Sequence, residues 1–65
     1  MTKKEFKAFK KAYFGHDVMS QTGRRMTVEN VFTDSNDNHF ATLQIDKHEY
    51  TIACHLVVNE FKLVA

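Results

Sequence analysis

The sequence predicts an α+β fold in one domain over residues 1–65: a helix at about 3–14 packed on a four-stranded antiparallel β-meander at about 26–33, 38–45, 49–58 and 61–65. Three observations predict it. A capped, amphipathic stretch opens the chain. From Met26 onward, β-branched and aromatic residues dominate and apolar positions alternate. Polar clusters then cut that second part into runs of strand length. A sheet curled into a small barrel is the alternative to an open one.

The helix is the most strongly marked element. Thr2-Lys3-Lys4-Glu5 has the capping-box pattern, in which the Thr and Glu side chains satisfy backbone N–H groups left free at a helix start. Gly15 follows Phe14, where a left-handed helix stop is expected. Phe6, Phe9 and Tyr13 fall within about 60° of one another on a helical wheel. Lys3, Lys4, Lys7, Lys10 and Lys11 occupy a separate arc about 120° wide. The rings therefore face a core and the ammonium groups face solvent. His16 to Arg25 shows no clear period, and Ser20-Gln21-Thr22-Gly23 reads as a loop.

The strands follow in order. Val28 lies in the first, but adjacent Val31 and Phe32 leave its phase open and suggest a bulge. Asp34-Ser35-Asn36-Asp37-Asn38 is a turn cluster. Ala41, Leu43 and Ile45 alternate with polar neighbours in the second strand. Asp46 to Glu49 holds the next turn. A loop of even length there keeps Leu43 and Ile45 on the same face as Tyr50 and Ile52. Alternation continues through Cys54, Leu56 and Val58, and a tight turn at Asn59-Glu60 would pair Val58 with Phe61 and Leu56 with Leu63. The expected outer face carries Thr42, Gln44, Thr51 and Lys62, but also Phe40, Val57 and Val64. The order of a helix followed by strands resembles small Sm-like barrels in length and sequence of elements. No residue motif extends that resemblance, so it implies no activity and no site.

Composition excludes several classes. Sixty-five residues are too few for a dinucleotide-binding or barrel enzyme. One Cys cannot form an intramolecular disulfide, which argues against a stapled secreted scaffold and for a reducing, cytoplasmic setting. No apolar run of about 18 residues exists to span a membrane, and no secretory signal is expected. Net charge is +1, but seven Lys/Arg against two Asp/Glu lie in residues 1–25, and two against six in residues 26–65. That asymmetry points to an anionic partner for the amino-terminal half.

Candidate chemistry is sparse. Asp34 to Asn38 fits the start of an EF-hand loop, but His39 stands where Gly is required and Ile45 where the bidentate Glu belongs, so a hairpin turn is expected. Cys54 and His55 are adjacent and point to opposite faces of a strand, so they cannot share an ion. Cys54 with His39 is the only nucleophile–base pair that pairing could bring together, on the inner face of a small core. No phosphate loop or nucleophile elbow is present. The expectation is a non-enzyme with no metal and no cofactor.

Two readings of function remain. The first is a small protein-binding module, an adaptor or inhibitor, docking through the outer sheet face at Phe40, Val57 and Val64. Proteins of this size are frequent in phages and mobile elements, where many block the surface of a host enzyme. The second is a nucleic-acid binder contacting phosphates through Lys3, Lys4, Lys7, Lys10, Lys11, Arg24 and Arg25, with salt-sensitive affinity. A solvated lysine face is the bland alternative. Homodimerisation, through the outer face or an unpaired edge strand, is compatible with both.

Overall fold

In the computed structural model, which describes residues 1–64, Thr2 and Glu5 form the predicted reciprocal cap. The Glu5 N–H donates to Thr2 Oγ1 at 3.1 Å and the Thr2 N–H donates to Glu5 Oε1 at 2.9 Å. These bonds hold the Glu5 carboxyl below its usual range, the Thr2 backbone N–H first among the causes. Helix α1 then runs Lys3–Tyr13. It stops where Gly15 takes a φ of 78°, a left-handed conformation open to glycine at little cost. The Gly15 N–H reaches the Val28 carbonyl at 2.8 Å, and the Val28 N–H donates to the His16 carbonyl at 2.9 Å. These bonds tie the end of the helix to the sheet.

The remaining elements are β1 (Asp17–Ser20), β2 (Arg25–Thr33), β3 (His39–Ile45), β4 (His48–Ala53), α2 (Cys54–Glu60) and β5 (Phe61–Leu63). All neighbours pair antiparallel, in the order β4-β3-β2-β1-β5. The fold is α+β, as expected, but among the described residues the sheet has five strands and is open: it does not close into a barrel.

Two segments differ from the sequence expectation. The stretch read as aperiodic contains β1, joined to β2 by the four residues Gln21 to Arg24, with the Ser20 N–H donating to the Arg24 carbonyl at 2.8 Å. Gly23, at φ 87°, supplies the left-handed position such a loop needs, and its N–H donates to the Ser20 carbonyl at 3.0 Å. The expected strand 49–58 ends at Ala53, and Cys54–Glu60 is helical. Cys54 and Val57, three residues apart on one helical face, are both fully buried, whereas Leu56 and Val58 are exposed. The helix carries the chain across the sheet, so β5 pairs with β1 and the expected Val58–Phe61 hairpin does not form. The end of the expected strand 61–65 falls at Ala65, outside the described residues.

The β2 bulge is real. Val28 faces Leu43 and Asn30 faces Thr42, so Glu29 is an extra residue in the ladder. That insertion lets Val28 and Val31, three apart, both point inward. The β3–β4 loop has the expected even length: Ile45 faces His48 across Asp46-Lys47, with Asp46 at φ 54°. The core comprises Phe9 from α1, Val18, Val28, Val31, Ala41 and Leu43 from the sheet, and Cys54 and Val57 from α2. Phe6 and Tyr13 pack against it. Both helices thus cover one face of the sheet, and among the described residues no element covers the other.

Candidate functional site

The basic residues do not form one surface. The aromatic flank of α1 faces the sheet: Phe9 and Tyr13 stack at 4.3 Å, and Phe6 stacks on His39 at 4.3 Å. Ala8 and Ala12 border a groove of about 520 Å³ shared with His55 and Val58 of α2. The five lysines lie on the remaining arc, all exposed, and among the described residues none is in an ion pair. Arg25 lies elsewhere. Its partner across β1 is Met19, next to buried Val18, so it projects from the uncovered sheet face. There Arg25 Nε donates to Asp17 Oδ2 at 2.7 Å while the Thr27 hydroxyl donates to Asp17 Oδ1 at 2.7 Å. The Asp17 carboxyl is held below its usual range, by the Thr27 hydroxyl first and by Arg25 second. Arg24 therefore belongs to the β1–β2 connection and Arg25 to the start of β2, whereas the five lysines belong to α1.

The outer sheet face also departs from expectation. Val57 is not on it, because it sits on α2 with its side chain in the core. Phe40 is on it, half-buried against Phe32 with ring centroids 5.7 Å apart. Phe32, Phe40 and Ala53 form one cross-strand row. Val64 lies at the far end, its N–H donating to the Asp17 carbonyl at 3.0 Å. Between them stand Asn30, Thr42 and Thr51 in register, so the apolar groups are split by a polar row.

A better surface lies at the β5 edge. A groove of about 650 Å³ runs along that strand, bordered by Met19, Val58, Phe61 and Leu63 with Glu60 and Lys62 at its rim. Met19, Val58 and Leu63 are 38%, 48% and 43% exposed. The Val64 N–H points at β1, so by strand alternation the N–H and C=O of Leu63 point to the free side. Sequence reasoning missed this groove because it needs α2 to deliver Val58 and β1 to deliver Met19. The short connection between Ser20 and Arg25 containing Gly23, flanked by Val18-Met19 and Met26, was the available signal for β1.

The remaining candidate residues are buried or bonded within the fold. Cys54 and His39 do line one small cavity, of about 280 Å³, as cross-strand proximity suggested. Burial, however, pushes the Cys54 thiol up to about 11, so it is protonated at neutral pH. His39 is occupied too, its Nδ1 lying 2.8 Å from the Thr33 hydroxyl. Among the described residues, no group of three or more His, Cys, Asp or Glu side chains is placed to hold a metal. The Asp34 Oδ1 accepts the N–H groups of Asn36 and Asn38, both at 2.9 Å, which draws that carboxyl below its usual range, the Asn38 N–H first among the causes. The acidic loop is closed on itself as a turn. No helix among the described residues is long and apolar enough to cross a membrane. Comparison with family models, with curated proteins and with solved structures finds no match to this chain.

Proposed function

We propose that this protein is a non-enzymatic protein-binding module, an adaptor or inhibitor, that takes an extended apolar segment of its partner along the β5 edge. One observation carries the reading: Met19, Val58 and Leu63, all large and substantially exposed, border the same groove beside a strand edge with free backbone groups. Added strands gain affinity from such backbone groups and specificity from flanking side-chain pockets. Covering the exposed halves of three side chains is worth about 3 kcal/mol in all, and two new backbone hydrogen bonds add about 2 kcal/mol. Association costs at least about 4 kcal/mol, so the groove anchors a partner that must also touch surface around it. A cytoplasmic setting, the host cytoplasm for a phage-borne copy, suits a buried, reduced Cys54.

The test is capture of a partner from the producing cells by the tagged protein and by variants. A stoichiometric protein retained by wild type and by Lys7→Glu/Lys11→Glu, but lost with Val58→Lys and with Leu63→Lys, supports the reading. Both groove positions are exposed, so the variants keep the fold, which circular dichroism verifies. No stoichiometric protein, or one indifferent to both groove variants, removes it.

The second reading, phosphate contact by the α1 lysine arc, is favoured by five exposed lysines without ion-pair partners among the described residues. Loss of Arg24 and Arg25 from that surface weakens it. Oligonucleotide affinity that falls steeply with salt and collapses in Lys7→Glu/Lys11→Glu would favour it over the groove.

A further inference from the structure

The opposite edge of the sheet has a different character. Strand β4 (His48–Ala53) is the last strand on that side, and among the described residues nothing pairs with its outer edge. The two-residue loop makes Ile45–His48 a hydrogen-bonded pair, so by alternation Tyr50 and Ile52 also bond to β3. Glu49 and Thr51 therefore turn their N–H and C=O groups outward. Folded proteins usually blunt such an edge with a proline, a bulge, an inward charge or a very short strand. β5, at three residues, offers the shorter of the two edges. β4 has six residues, no proline, no lysine and an unbroken register with β3.

We infer that β4 is a homodimerisation edge, pairing antiparallel with β4 of a second copy across a two-fold axis. The sequence His48-Glu49-Tyr50-Thr51-Ile52 suits its own reversal. In a register centred on Tyr50, Glu49 faces Thr51 of the second copy, Ile52 faces His48, and the two Tyr50 rings meet. In a register centred on Thr51, Tyr50 faces Ile52 and the threonines pair. Both avoid opposing like charges, and both supply aromatic, β-branched or Thr–Thr cross-strand pairs. Both also cover Tyr50, which is 47% exposed in the single chain although it projects to the core side. The strand order puts β5 at the far end of each half, so the dimer presents two separate β5 grooves.

The experiment is sedimentation velocity over a concentration series. Wild type should approach twice the monomer mass of 7.6 kDa as concentration rises. Thr51→Pro deletes an outward N–H without touching the β3 ladder, an allowed place for proline. It should weaken association by about tenfold or more, the equivalent of about 1.4 kcal/mol. Should Thr51→Pro fail to fold, Tyr50→Lys gives the same readout, by setting cations together at the axis in the first register and an ammonium against Ile52 in the second. Leu63→Lys, at the other edge, should dimerise as wild type does. A strictly monomeric wild type at millimolar concentration overturns the inference. So does a dimer that survives both β4 variants, or one abolished by Leu63→Lys. A monomeric wild type leaves the β5 groove, whose test is the captured partner, untouched, whereas a dimer abolished by Leu63→Lys would place self-association at that groove instead of at β4.

Discussion

Replacing Val57 and Val58 one at a time by alanine separates a helical from a pleated account of residues 54–60. Val57 is fully buried and Val58 is 48% exposed. Each substitution removes two carbon groups. At Val57 the lost transfer energy is about 1.6 kcal/mol, and a cavity of ~50 Å³ adds about 1 kcal/mol. Alanine's better helix propensity returns about 0.5 kcal/mol, leaving a net cost of about 2 kcal/mol. At Val58 roughly half the transfer term applies and no cavity forms, so the propensity gain brings the net near zero, within about 0.5 kcal/mol. A domain of this size has about 3–10 kcal/mol in total, and 1 kcal/mol shifts its Tm by about 4–8 °C. Val57→Ala should therefore melt about 8–16 °C lower, and Val58→Ala should melt close to wild type. Thermal unfolding followed by far-ultraviolet circular dichroism reads both. In a strand continuing from β4 the phase would be reversed, with Val58 inward and Val57 outward. If Val58→Ala proves the more damaging change, α2 is misassigned and the β5 groove loses one wall.

Three further outcomes follow from named contacts. Cys54, buried and with its thiol raised to about 11, should not react with a thiol reagent at pH 8 until the chain unfolds; prompt stoichiometric labelling of the native protein contradicts this. Asp17 and Asp34 have carboxyls lowered from the ordinary 3.8 by hydrogen bonds made in the folded state. A depressed folded value adds stability above the unfolded value and loses it as pH falls through the folded one. Unfolding midpoints should thus hold steady down to about pH 4 and decline below it, with a shallower decline in Asp17→Asn; an unchanged acid limb in that variant refutes the link. Gly23→Ala meets no atom within 4 Å of the new Cβ, so only the cost of a left-handed alanine remains. It should destabilise by about 1–2 kcal/mol, and a neutral result in urea titration would show that the loop relaxes.

How much of this was legible in the sequence depended on length and on locality. α1 was readable because eleven helical residues give the 3.6-residue period room to show, and the Thr2/Glu5 cap is local chemistry. The even β3–β4 loop was readable because a one-residue slip would have turned Leu43 or Tyr50 to the wrong face. The β2 bulge was signalled by Val28 and Val31 sharing a strand at odd spacing. α2 was not readable in the same way. Seven residues ending an alternating run fit both periods, Val57 and Val58 favour strands, and Ala53 offers no capping side chain. The buried pair Cys54 and Val57 at i, i+3 was the one helical sign. β1 was hidden because only Val18 of its four residues reaches the core. Those two short elements carry the main consequence for the site. They place Val57 inside, move β5 beside β1, and create the groove that the expected meander lacked. The lysine arc was legible from the wheel alone, whereas the separation of Arg25 from it depends on a register across β1 that no local pattern announces.

The claim that matters most is that partners meet this protein at the β5 edge and not at the lysine arc. A photo-reactive residue placed at position 63, and separately at position 7, should be irradiated in the producing cells and the adducts resolved by mass. The account predicts one discrete protein adduct from position 63 and none from position 7. Nucleic-acid adducts from position 7 with an inert position 63 would contradict it.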